Sequence, residues 1–124
     1  MRLATESDIE LVGEAPDAST GIELVRNRRP AQVLIELPLP DRNGRDAIRE
    51  ILTVYPETKV IMLAADADEN TQLQALRAGA SGFLLKPLDL DVLPRVLRAV
   101  RAGEAAVSRA LARRVVDEIR ARER

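Results

Sequence analysis

The stretches Val33-Leu34-Ile35 and Val60-Ile61-Met62-Leu63 are apolar without alternation, which narrows the folds open to this chain. A strand with one wet face alternates apolar and polar residues. A continuous apolar run suits a strand covered on both faces, the usual condition of a parallel sheet flanked by helices. The wider segments "AQVLIEL" (31–37), "KVIMLAA" (59–65) and "GFLLK" (82–86) therefore read as strands, and Ile9 to Val12, closed by Gly13, reads as a fourth. Between them lie stretches of helical period: Ala18 to Arg28 with Ile22, Leu24 and Val25, Arg45 to Tyr55 with Ala47, Ile48, Ile51 and Leu52, and Glu69 to Ala78 with Leu73 and Leu76. A further helix from Leu90 to Arg101 carries Val92, Leu93, Val96, Leu97 and Val100, and a last one starts near Arg109. The order β-α-β-α-β-α-β predicts right-handed crossovers and an α/β doubly wound parallel sheet.

Punctuation agrees with these boundaries. Pro30 precedes one strand, Pro56 ends a helix, and Gly79 stands where a left-handed residue closes a helix. Asp68 or Asn70 can cap the helix that begins near Glu69.

With 124 residues the chain fits one domain. Hydrophobic residues at 46% and charged residues at 31% are the profile of a folded globular protein. The net charge of -1 gives no overall pull toward nucleic acid or anionic lipid. Cysteine and histidine are both missing, which closes disulfides, thiolate metal sites and the Ser-His and Cys-His nucleophile pairs. No apolar run approaches the roughly 18 residues that span a bilayer, and the expected setting is the cytoplasm.

From Glu36 through "LPLPDRNG" and then "VIMLAADADENTQLQALRAGASGFLLKP", the chain resembles the receiver domain of two-component response regulators. Within the CheY-like superfamily it is most similar to the NarL/FixJ (LuxR-type) branch, with "LRAGASGFLLK" (76–86) the most specific piece and "LVGEA" (11–15) similar to the second strand. The resemblance covers about residues 1–108. It implies a flavodoxin-like sheet of order 2-1-3-4-5. It also implies phosphoryl transfer in a phosphorelay onto a strand-end aspartate, supported by Mg²⁺ on neighbouring acids, a lysine and a hydroxyl.

Position by position, the parts depart from that pattern. The acceptor position is Glu36, whose carboxylate sits one methylene further out than an aspartate's. The hydroxyl position is Ala64, followed by Ala65. The lysine is present as Lys86, and the bond to Pro87 resembles the family's cis peptide. Phe83 occupies the aromatic switch position. The family's first strand, with its acidic pair, has no counterpart in "MRLATESDIELVGEA", which resembles the tail of a first helix running straight into the second strand. Met1 to Thr5 as a short first strand, with Glu6 and Asp8 as its acids, is the less favoured reading. Four strands from this chain are thus expected, with a gap beside the Val33 strand filled by direct pairing, by a partner's strand or by residues outside this sequence.

Two readings of Glu36 stand: a permanent ion pair with Lys86 that mimics the phosphorylated state, or a strand-end relic with no switching role. "DADEN" (66–70) reads as a solvated capping loop and not as a calcium loop, because the glycine and distal glutamate of such a loop are missing. Asp41, in the loop after Glu36, reads as a turn residue, with a substitute acceptor as the other reading.

Residues 1–107 are taken as the receiver-like domain and 108–124 as a helical extension for dimerisation or linkage, with Leu111, Val115 and Ile119 at spacing four. The expectation is a pseudo-receiver acting through a protein partner or a homodimer, possibly by element exchange. No enzyme activity, cofactor, metal, membrane or direct nucleic-acid contact is expected. The alternative is an N-terminally truncated receiver module of a two-component LuxR-type transcription factor, with its DNA-binding domain absent from these residues.

Overall fold

The computed structural model describes residues 8–66, 68–87, 91–104 and 109–122. The elements run α1 (Ala18–Arg28), β1 (Gln32–Leu37), α2 (Gly44–Val54), β2 (Lys59–Ala64), α3 (Glu69–Arg77), β3 (Gly82–Leu85), α4 (Leu93–Arg101) and α5 (Arg109–Arg122). The three strands form one parallel sheet in the order β1-β2-β3. In register, Leu34 faces Ile61 and Ile61 faces Gly82, while Glu36 faces Leu63 and Leu63 faces Leu84.

Local chemistry sets the helix ends. Asp17, Asn43 and Asp68 each sit in extended backbone and accept a first-turn N–H, from Thr20, Asp46 and Thr71 respectively. After α3 the chain turns through Gly79 at φ 117°, with Gly79 N–H donating to the Leu76 carbonyl and Ala80 N–H to that of Ala75. Gly103, at φ 91°, closes α4 in the same way against Val100 and Ala99. Two X-Pro bonds are cis, Leu37-Pro38 and Lys86-Pro87.

The strands separate two cores. Val33, Ile35 and Leu37 of β1 point to one face with Val60, Met62 and Ala64 of β2 and Phe83 of β3, and pack on Ala18 and Val25 of α1, Ala47, Ile48 and Ile51 of α2, and Ala75 of α3. On the opposite face Gln32 Nε2 donates to the Leu97 carbonyl at 2.7 Å, which fixes α4 there. Ile48, Val60 and Ile61 have no accessible surface. Each such aliphatic side chain contributes about 1.5–3 kcal/mol of transfer free energy. The continuous apolar runs of β2 are explained by this two-sided cover.

Ile9 to Val12 does not form the expected fourth strand. The segment joins no ladder, and Leu11 and Val12 stay exposed. A strand is defined by its neighbour's hydrogen bonds. In the doubly wound order another strand separates this segment from β1, and no strand among the described residues takes that place. The alternative strand at Met1 to Thr5 lies outside the described residues.

The segment is fastened at its ends instead. Asp8 accepts from Arg98 Nε and Nη2, both at 2.8 Å. At Gly13 an added Cβ would stand 3.3 Å from the Leu24 side chain of α1. Residues 8–13 thus run from a contact with α4 at Asp8 to one with α1 at Gly13.

Candidate functional site at the strand ends

The parallel arrangement delivers the C-terminal ends of β1, β2 and β3 side by side, and Glu36, Ala64 and Lys86 arrive there together. Lys86 N–H donates to the Ala64 carbonyl at 2.8 Å, extending the β2–β3 ladder into the site. Glu36 and Lys86 flank β2 from opposite sides, and two strand spacings amount to about 9–10 Å. Two long side chains cover that span: Lys86 Nζ lies 3.0 Å from Glu36 Oε1. Both are open to water, at 37% and 66% of side-chain surface, so the contact fixes geometry more than stability.

Ala64 is 3% exposed and presents a methyl group, so no hydroxyl stands at this end of β2. Phe83 is 3% exposed and packs in the core with Met62 as its register partner. Pro87 follows the lysine through the cis bond.

Asp41 has a different employment from the one considered for it. Its carboxylate accepts the N–H groups of Ala18 and Ser19 and the Ser19 hydroxyl, each at 3.0 Å. The N–H of Ala18 is the main reason its pKa is lowered to about 2, with the Ser19 groups and the Arg42 guanidinium adding to it. Arg42 in turn bonds Glu50 and Ser19. The loop after β1 is thus tied to the start of α1.

In "DADEN" it is Asp68 that caps α3, and the Thr71 N–H holds its carboxyl below the ordinary carboxylate range. Arg114 of α5 bonds Asn70 and lies 3.6 Å from Glu69. On α5, Val115 is half-buried while Val116 and Ile119 are exposed. Neither Arg114 nor Asp8 carried a signal in the sequence, since their partners stand 44 and 90 residues away.

Among the described residues the donor set does not fit a Mg²⁺ ion. Glu36 is engaged by Lys86, Asp41 by α1 and Asp68 by α3, and among the described residues no group of three or more metal-ligating side chains converges.

A three-layered α/β/α sheet whose strand ends bring a carboxylate and a lysine together is the architecture of a signal receiver. Residues 1–98 match the family described as the response regulator receiver domain, and the chain belongs to that family. It is 33% identical to the transcriptional regulatory protein DegU of Brevibacillus brevis, over 95% of this chain and 50% of that protein. To the nitrate/nitrite response regulator NarL of Escherichia coli K12 it is 32% identical, over 84% of this chain and 48% of that protein. A solved LuxR-family two-component response regulator from Aurantimonas sp. SI85-9A1 superposes with a TM-score of 0.80 at 30% identity, covering 94% of this chain and 84% of that one. The chain spans about half the length of these curated relatives. No helix among the described residues is long and apolar enough to cross a membrane.

Proposed function

We propose that this receiver does not take a phosphoryl group in the usual way and that it works as a protein-interaction module in two-component transcription control. The observation that carries this reading is the Glu36–Lys86 contact at 3.0 Å. The lysine that would bind a phosphoryl oxygen already holds a carboxylate of its own chain, which stands in for the modified state. The methyl of Ala64 supports the reading, because a phosphate there would find no hydroxyl to bond. The lack of a converging acid set among the described residues supports it as well, because nothing would offset the charge of the incoming group. In this reading residues 1–107 form the receiver body, and the helix beyond 108 serves dimerisation or linkage.

Intact mass after incubation with acetyl phosphate and Mg²⁺ tests the proposal, with an aspartate-bearing receiver in the same tube as the reagent control. The expected spectrum is unchanged. A stoichiometric gain of one phosphoryl group, released by hydroxylamine and mapped to Glu36, would overturn it.

A further inference from the structure

We propose that Asn43 is a site of spontaneous covalent modification, where the backbone nitrogen of Gly44 displaces the side-chain amide and leaves an aspartate or an isoaspartate at the start of α2. The reaction needs neither Glu36 nor Lys86.

Asn43-Gly44 is the one Asn-Gly pair in the sequence, and the fold constrains both members. Asn43 caps α2 by accepting the Asp46 N–H at 2.9 Å, a task that short polar side chains perform best. Gly44 lies against the core. A Cβ there would stand 2.8 Å from Met62 Cε and 3.1 Å from Leu37 Cδ2, and Met62, at 1% exposed, has little room to retreat. Capping thus favours a short polar residue exactly where packing requires glycine beside it.

The surroundings suit the chemistry. Asn43 is exposed, so base and water reach it. The Gly44 N–H belongs to the first residue of α2, where the helix offers it no carbonyl, and glycine has no Cβ to crowd the approach. Once that N–H gives its proton to a solvent base, the nitrogen bonds to Cγ of Asn43 and closes a five-membered imide. The Asp46 N–H at Oδ1 steadies the oxyanion formed during the addition. The Cγ–Nδ2 bond then breaks, and ammonia leaves with a proton from water. A second water opens the ring at Cγ to give aspartate, or at the main-chain carbonyl of residue 43 to give isoaspartate. The balance is one water taken up and one ammonia released.

The other two asparagines lack this arrangement. Asn27 lies inside α1 and is followed by Arg28, whose N–H belongs to the helix ladder. Asn70 is followed by Thr71, whose N–H is held by Asp68 at 2.8 Å.

Either product alters the entry to α2. Aspartate loses the Nδ2 hydrogen that Asn43 gives to Asp46 Oδ2 at 3.1 Å and sets two carboxylates together. Isoaspartate adds a methylene to the main chain one turn before Ala47 and Ile48, which have no accessible surface. The chain gains a negative charge in the loop that leaves the Glu36 strand.

The full chain is kept in warm, mildly alkaline buffer for several weeks beside Asn43→Ser, which retains a capping oxygen, and beside a short peptide of residues 41–46 as the reagent control. Intact mass and peptide mapping follow residues 27, 43 and 70. The expected result is a gain of one mass unit at Asn43, resolved into aspartate and isoaspartate forms, with Asn27 and Asn70 unchanged over the same period and no gain in Asn43→Ser. An intact Asn43 while the control peptide converts overturns the proposal. So does conversion of Asn27 or Asn70 at the same rate as Asn43.

Discussion

Lys86 reaches across the end of β2 to place its ammonium 3.0 Å from the carboxylate of Glu36, with Leu63 as the residue directly beside Glu36 in the sheet. An exposed pair of this kind changes stability by less than about 1 kcal/mol. Glu36→Gln and Lys86→Ala are therefore expected to unfold in urea within that margin of the parent, with the difference vanishing at high salt. A loss well beyond it would mean that the pair holds the fold together.

Acid should weaken the protein through the carboxylates held below their ordinary range, Asp8, Asp41 and Asp68. Asp8 is lowered to about 2, chiefly by its hydrogen bonds to Arg98, and Asp41 to about 2, chiefly by the N–H of Ala18. A depressed folded-state pKa gives stability that is complete above the unfolded value near 3.8 and is lost as pH falls toward 2. Thermal unfolding between pH 6 and about pH 2 is expected to show a falling melting temperature below about pH 4, with a shallower fall in Asp41→Asn. Equal slopes for the two proteins would remove Asp41 from the explanation.

The two positive-φ glycines separate backbone strain from crowding. A Cβ at Gly103 meets nothing within 4 Å, so Gly103→Ala is expected to cost about 1 kcal/mol for its left-handed backbone alone. A Cβ at Gly79 would overlap Leu52 Cδ1, so Gly79→Ala should cost at least about 1 kcal/mol more. Shortening Leu52 in a double-mutant cycle should recover the excess and leave the backbone part.

Thr58 is 3% exposed, and its hydroxyl has no hydrogen-bond partner among the described residues. Replacing the hydroxyl by a methyl of similar size removes the desolvation cost of that group. Thr58→Val is expected to raise stability by about 1 kcal/mol in chemical denaturation, and a loss of stability would point to a bond made by that hydroxyl in solution.

Much of the fold was legible because burial and sequence period coincide. Val60 to Leu63 is continuous and is sealed on both faces, and Ala18–Arg28 matched its helix at both ends because Asp17 caps one and Arg29 turns the other. Ile9 to Val12 misled because apolar composition signals a strand without supplying the neighbour that makes one. The strand-end cluster was legible from spacing, since parallel strands bring Glu36, Ala64 and Lys86 to the same end of the sheet, on successive rungs. The burial of Phe83 was not, because the choice between core and solvent for an aromatic ring depends on packing that Met62 and Ala80 supply. The tasks of Asp41, Asp8 and Arg114 are long-range bonds of exposed side chains, and no local pattern encodes them.

The first turn of α1 is completed by a residue made 23 positions later, since the free N–H of Ala18 is taken by Asp41. An 11-residue helix is marginal alone in water. As the chain leaves the ribosome, α1 must therefore wait for β1 and the loop behind it, and the N-terminal half is expected to become ordered in a single event and not piece by piece.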